Sequence, residues 1–186
     1  MARWFESNGE QWTDDVVQSV KERVDRGDIA HVVVATTTGK TGALLIEALG
    51  GTYLDVVCVT HHAGFKGGDE IEVDPKHAKA IAAGGGTMLT GSHALSGVGR
   101  SISGTFGGTT AVEVIAHTLR MFGQGTKVCV EIAVMAADAG LIPTDRDVIC
   151  VGGTGRGADT AVVLKAAHAN RIFEMKLRET LCRPIG

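Results

Sequence analysis

With 186 residues, 44% of them hydrophobic and only 4% aromatic, the chain suits one domain with an aliphatic core and is not the composition of a disordered segment. A net charge of −3 gives no support for nucleic-acid binding, and no apolar run reaches about 18 residues, so no membrane span is expected. Four cysteines spread singly (Cys58, Cys129, Cys150, Cys182) predict reduced, buried thiols in a cytoplasmic protein, not disulfides or zinc.

Residues 1–12 hold Trp4, Phe5 and Trp12, and predict an N-terminal arm pinned to the domain; a ligand or subunit contact is the alternative. Thr13 is expected to cap a helix in which Val16, Val17, Val20 and Val24 recur, closed by Gly27. A strand over 29–35, a helix over 40–49 ended by Gly50-Gly51, and a strand over 53–60 follow. Continuous apolar strands alternating with helices predict a parallel sheet covered on both faces. A loop spans 61–73. Asp74-Pro75 then opens a third helix, and 87–90 is a short strand. The stretch 91–108, GSHALSGVGRSISGTFGG, reads as a long loop. Helices are predicted over 110–122 and 126–139, the second apolar almost all round except for Glu131. Glu131 needs a partner, a helix end or an arginine; an acid or base role is the alternative. Strands over 147–151 and 161–166 flank a glycine-rich turn. Residues 171–181 alternate at period two, which predicts a half-buried strand, antiparallel or at an edge.

The strongest functional signal is VVVATTTGKTGALLIEAL, residues 32–49. An apolar strand hands over to a helix through Thr36, Thr37, Thr38, Gly39, Lys40 and Thr41. Such a junction aims unpaired amide hydrogens and the positive end of a helix at one point. A Walker A loop would need glycine where Val34 stands, and no Walker B acid is evident, so the expectation is a monophosphate cradle and not an ATPase. The plainer alternative is a strand–helix turn with incidental threonines.

No Asp or Glu occurs from Pro75 to Val112, where Lys76, Lys79 and Arg100 are the fixed charges. Ser92, His93, Arg100, Ser101 and Ser103 of that stretch are expected to face an anionic ligand; a surface loop merely lacking acids is the alternative. In the second glycine-rich turn, Gly153, Thr154, Gly155, Arg156 and Gly157 could approach an anion, with Arg156 as a clamp and Asp159 receiving a sugar hydroxyl. The spacing is not that of a Rossmann loop. His61 and His62 follow the second strand and would neighbour the cradle. His77 and His93 complete no recognisable zinc spacing, so no metal is expected. His61, His93, Arg100 and Glu131 are the candidates for acid or base work.

These residues resemble the C-terminal, allosteric domain of pyruvate kinase, in its stand-alone form. Two blocks carry the resemblance, IAHVVVATTTGKTGALLI (29–46) and residues 139–164, with THHAGF, SHALSGVGRSIS, GQGTKVCVEIAVMAADAGLIP and GTGRGADTAVVL looking like the stand-alone form's own blocks. The resemblance implies one domain over 1–186, a three-layer α/β/α fold with a mixed, mostly parallel sheet of five to six strands. It gives Thr36, Thr38, Lys40 and Thr41, with 154–157, a phosphate-site role. It also implies flavin mononucleotide (FMN) as the ligand. Pyruvate kinase activity is not implied, since the catalytic barrel needs about 250 residues. Two other readings follow from the resemblance: a flavin-dependent oxidoreductase, and an allosteric or assembly module that senses a sugar phosphate and forms a homo-oligomer.

Overall fold

The computed structural model describes residues 2–50 and 53–185. Seven strands form one sheet in the order β1-β7-β6-β5-β2-β3-β4 among the described residues. They are β1 (Arg3–Phe5), β2 (His31–Ala35), β3 (Asp55–Thr60), β4 (Thr87–Thr90), β5 (Asp147–Gly152), β6 (Thr160–Lys165) and β7 (Lys176–Pro184). Only β6 runs antiparallel to its neighbours, so the sheet is mixed and mostly parallel.

Alternate residues of each strand point to opposite faces, and each face meets its own helices. Val32, Val34, Val56, Cys58, Ile149 and Val151 pack beneath α1 (Thr13–Val24), α2 (Lys40–Ala48) and α3 (Pro75–Ala83). Val33, Val57, Val59, Val148, Cys150 and Val162 pack beneath α6 (Gln124–Asp138). Outside α6 lie α5 (Ala111–Arg120) and then α4 (Gly97–Phe106). No helix among the described residues is long and apolar enough to cross a membrane.

Several expectations need correction. The sheet has a seventh strand because the arm itself pairs, parallel to β7, with Phe5 buried and stacked on Trp12 at 4.7 Å. Trp12 Nε1 donates to the Ser7 carbonyl, and Arg183 lies over Trp4, so this aromatic group pins the arm to the domain. Thr13 is the first helical residue and not the cap; its hydroxyl donates to the Glu10 carbonyl and accepts from the Ala158 amide. The stretch 91–108 is not a loop throughout: α4 forms within it, and Val98, Ile102 and Phe106 recur at helical spacing along it with their side chains exposed. β7 starts five residues later than expected. Ile172 and Met175 pack against the cluster of Leu95, Ala116 and Val130, a spacing of three that suits the 3-10 turn Ala169–Glu174 and not a strand. Gly51, expected to help end α2, lies outside the described residues.

Candidate functional site

β2 lies inside the sheet beside β5, where the connections reverse: α2 and α3 lead from β2 to β3 and β4 on one face, and α6 returns to β5 on the other. Ligands of open α/β sheets bind beyond the carboxyl ends of strands at such a reversal. Val34 pairs with Val151 and Ala35 with Val59, so the turns after β2, β5 and β3 share one edge.

The turn after β2 is held from behind. The Thr36 amide donates to the Val59 carbonyl at 2.8 Å, and the Thr36 hydroxyl accepts from the Gly42 amide. The Thr38 carbonyl accepts from the Asp74 amide (3.1 Å) and from His77 Nδ1 (3.0 Å). Gly39 stands before α2 with φ +88°, and a Cβ there would come within 2.7 Å of His77 Cβ. Only glycine fits this left-handed, crowded position. No side chain caps α2, and its first turn carries no acid. Among the described residues no protein acceptor takes the amide hydrogens of Thr38, Gly39, Lys40 or Thr41. Lys40 is exposed beside them. Four amides at a helix start are thus left without a protein acceptor, and a cation stands alongside.

The turn after β5 is locked differently. Asp159 is 0% exposed. Its Oδ2 accepts from the amides of Gly9 and Thr154, both at 3.1 Å, and its Oδ1 from the Thr160 hydroxyl at 2.7 Å. Asp159 therefore does not face a sugar hydroxyl as expected; it ties the turn to the N-terminal arm. Gly153 and Gly157 are needed because a Cβ would strike Gly157 O and Thr13 Oγ1 respectively. Gly155 and Arg156 are exposed at the apex, and the Thr154 hydroxyl is buried without a hydrogen-bond partner.

At the ends of β3 and β4, four rings gather. His61 stacks on Phe65 at 3.8 Å, and His93 lies 5.3 Å from His61, His62 and Phe65 alike. His61 Nδ1 is 2.7 Å from Glu72 Oε2, and Lys66 Nζ is 2.5 Å from Glu72 Oε1. Lys66 and then His61 hold the Glu72 carboxyl below its ordinary value. With a carboxylate on Nδ1, the proton resides there and His61 Nε2 is the acceptor.

Burial, which outweighs the attraction of Glu131, pushes His93 below the ordinary imidazole value; His61, His62 and Lys127 push it the same way. The unfolded imidazole titrates near about 6.5, so below that pH the unfolded chain takes a proton the native site resists. Stability is expected to fall between pH 7 and pH 5.5, and His93→Gln to flatten that part of the curve, as read by urea unfolding across pH.

The remaining candidate residues stand on other elements. Arg100, Ser101 and Ser103 lie on α4, which packs on α5. Ser103 donates to Glu113, the first acid after the acid-free stretch, and Glu113 also accepts from the Thr110 amide and hydroxyl. Ser92 is exposed after β4. Glu131 pairs with Lys127, one turn back on α6, and accepts from the Leu95 amide at 2.8 Å. Both of its oxygens are engaged, so it clasps the 91–96 segment instead of facing a ligand. Lys127, Glu72 and Phe65 went unnoticed in the sequence, although the Lys–Glu spacing of four was a legible sign.

Two surface hollows, about 50 and 420 Å³, lie at the opposite edge of the sheet, the larger beside His31, Leu141, Ile142 and Arg146. Neither borders the cradle, whose case rests on its amides. No group of His, Cys, Asp or Glu that could hold a metal occurs among the described residues. The family model described as pyruvate kinase, alpha/beta domain matches residues 14–164, which takes in the cradle, the ring cluster and the locked turn. With the mixed sheet, its two helical layers and this match, the chain belongs to the pyruvate kinase alpha/beta domain family.

Proposed function

We propose that the protein binds a phosphorylated small molecule on the turn 36–41, and that FMN is the ligand that fits best. The observation that carries this reading is the set of outward amides from Thr38 to Thr41 with no protein acceptor. A single phosphate matches that number of donors, and the turn is too short to wrap a triphosphate. Gly39 lets the backbone approach closely, and Lys40 adds positive charge. The ring cluster beside the turn suits a flat cofactor. When bound, flavin would supply electron-transfer chemistry, while the chain binds and orients it. The four cysteines are buried free thiols, which suits a reducing, cytoplasmic setting.

The test is a flavin fluorescence titration. Thr38→Ala/Thr41→Ala is expected to weaken FMN binding about tenfold or more, from lost hydrogen bonds to a charged group. Lys40→Glu should do the same without harm to the fold, because an acid at the start of a helix is stabilising. Equal affinity in wild type and both variants would remove the cradle.

A flavin-dependent oxidoreductase is the second reading, favoured by His61 with its Nδ1 fixed by Glu72 and Nε2 free to exchange a proton. Anaerobic NAD(P)H should then bleach bound flavin near about 450 nm; unchanged absorbance would leave a carrier or sensor.

A further inference from the structure

We infer that the rings of His61, Phe65 and His93 form the platform on which the ligand's planar heteroaromatic ring lies, while its phosphate sits on the Thr38–Thr41 amides. This rests on the phosphate reading above and extends it to the other half of the ligand.

Phe65 is 37% exposed and joins none of the three apolar clusters of the protein. Its neighbours within ring distance are all imidazoles. An aromatic side chain on a loop, outside any core, gains little from packing there. Yet the loop that carries it is fixed in detail. The Gly64 amide donates to Glu70 O (2.9 Å), Gly67 to Gly64 O (3.0 Å), and Phe65 to His62 O (3.3 Å). Gly64 has φ +77°, and a Cβ there would meet Gly68 O at 2.7 Å. Glu72 then holds His61 and Lys66 together. Rings set in place before a ligand arrives cost little ordering on binding.

The platform is also coupled to the cradle. Glu72, which anchors His61, lies two residues before Asp74, whose amide donates to the Thr38 carbonyl. Two residues of extended chain span at most about 7 Å. His77, one turn into α3, bonds the same carbonyl. One short segment therefore sets both the ring cluster and the turn that would hold phosphate. The chemical class that satisfies both is a monophosphate carrying a flat heteroaromatic ring, such as a flavin or a nucleobase. His93, whose imidazole burial pushes below its ordinary value, adds a further ring to the cluster.

The experiment compares FMN, adenosine monophosphate and ribose 5-phosphate on wild type, Phe65→Leu and Phe65→Tyr. FMN is followed by fluorescence and the others by competition; circular dichroism checks folding. Phe65→Leu is expected to weaken FMN and adenosine monophosphate about tenfold to a hundredfold, the loss typical of one stacking contact. Ribose 5-phosphate should stay unchanged, and Phe65→Tyr should restore the ring-bearing ligands. Unchanged FMN affinity in Phe65→Leu overturns the platform and leaves the cradle standing. A parallel loss of ribose 5-phosphate also overturns it, since the loop would then act on the cradle and not on the ring. Loss of FMN in Phe65→Leu with none in either Thr38→Ala/Thr41→Ala or Lys40→Glu supports the platform and overturns the phosphate reading.

Discussion

Replacing Glu131 by alanine is expected to lower the unfolding free energy by about 3–5 kcal/mol, the usual cost of stranding one member of a buried ion pair. For a chain of this length that is a fall of about 10 °C in Tm. Lys127 is 4% exposed and Glu131 5%, and the two pair directly on α6. Without the carboxylate, an ammonium group stays inside the protein with no counter-charge, and the Leu95 amide loses its acceptor as well. Lys127→Met/Glu131→Leu removes both charges and fills similar volume, so it should recover most of the loss. Urea and thermal unfolding of the two variants give the comparison. A loss below about 1 kcal/mol in Glu131→Ala would show that the Lys127 ammonium reaches water in the native state.

Asp159→Ala is the second large loss expected, about 3 kcal/mol or more. The carboxylate is fully buried and serves two amides and one hydroxyl, one of the amides from a stretch 150 residues away. Alanine leaves the part-buried Gly9 and Thr154 amides without their acceptor. Asparagine keeps the shape but offers an NH2 group where one oxygen now receives hydrogen bonds, so it should fall between wild type and alanine. Hydrogen exchange provides a local readout: the Gly9 and Thr154 amides should exchange much faster in Asp159→Ala, ahead of those in β2. Equal exchange would mean that the loop holds its shape without this anchor.

The central fold was legible because its residues leave little choice. Val32–Val34 and the apolar runs of β3 and β5 are buried on both faces, and continuous β-branched runs in that setting announce a covered parallel sheet. Asp74-Pro75 opened α3 as expected, with the Asp74 carboxylate accepting from the Lys76 amide. The misreadings share a cause. In 91–108 the abundance of glycine and serine masked three apolar side chains spaced by four. At 171–175 a period of two in hydropathy masked a spacing of three in burial, and Phe173 stands 82% exposed. At the candidate site, the strand–helix junction at 36–41 was legible because it depends on chain geometry more than on side chains. Asp159 was not, because its use is decided by Gly9, which lies 150 residues away. The Phe65 cluster was hidden for the same reason: His93 arrives from a different strand end.

The parallel pairing of β1 with β7 has a consequence for the order of assembly during synthesis. Arg3 meets Cys182 and Phe5 meets Pro184, so β1 cannot pair until β7 has been made. The middle of the sheet can gather earlier. The Gly9 amide, which steadies the turn at 153–159, rides on that same waiting segment. The middle of the sheet thus gathers first, and the turn at 153–159 tightens only when β1 and β7 have met.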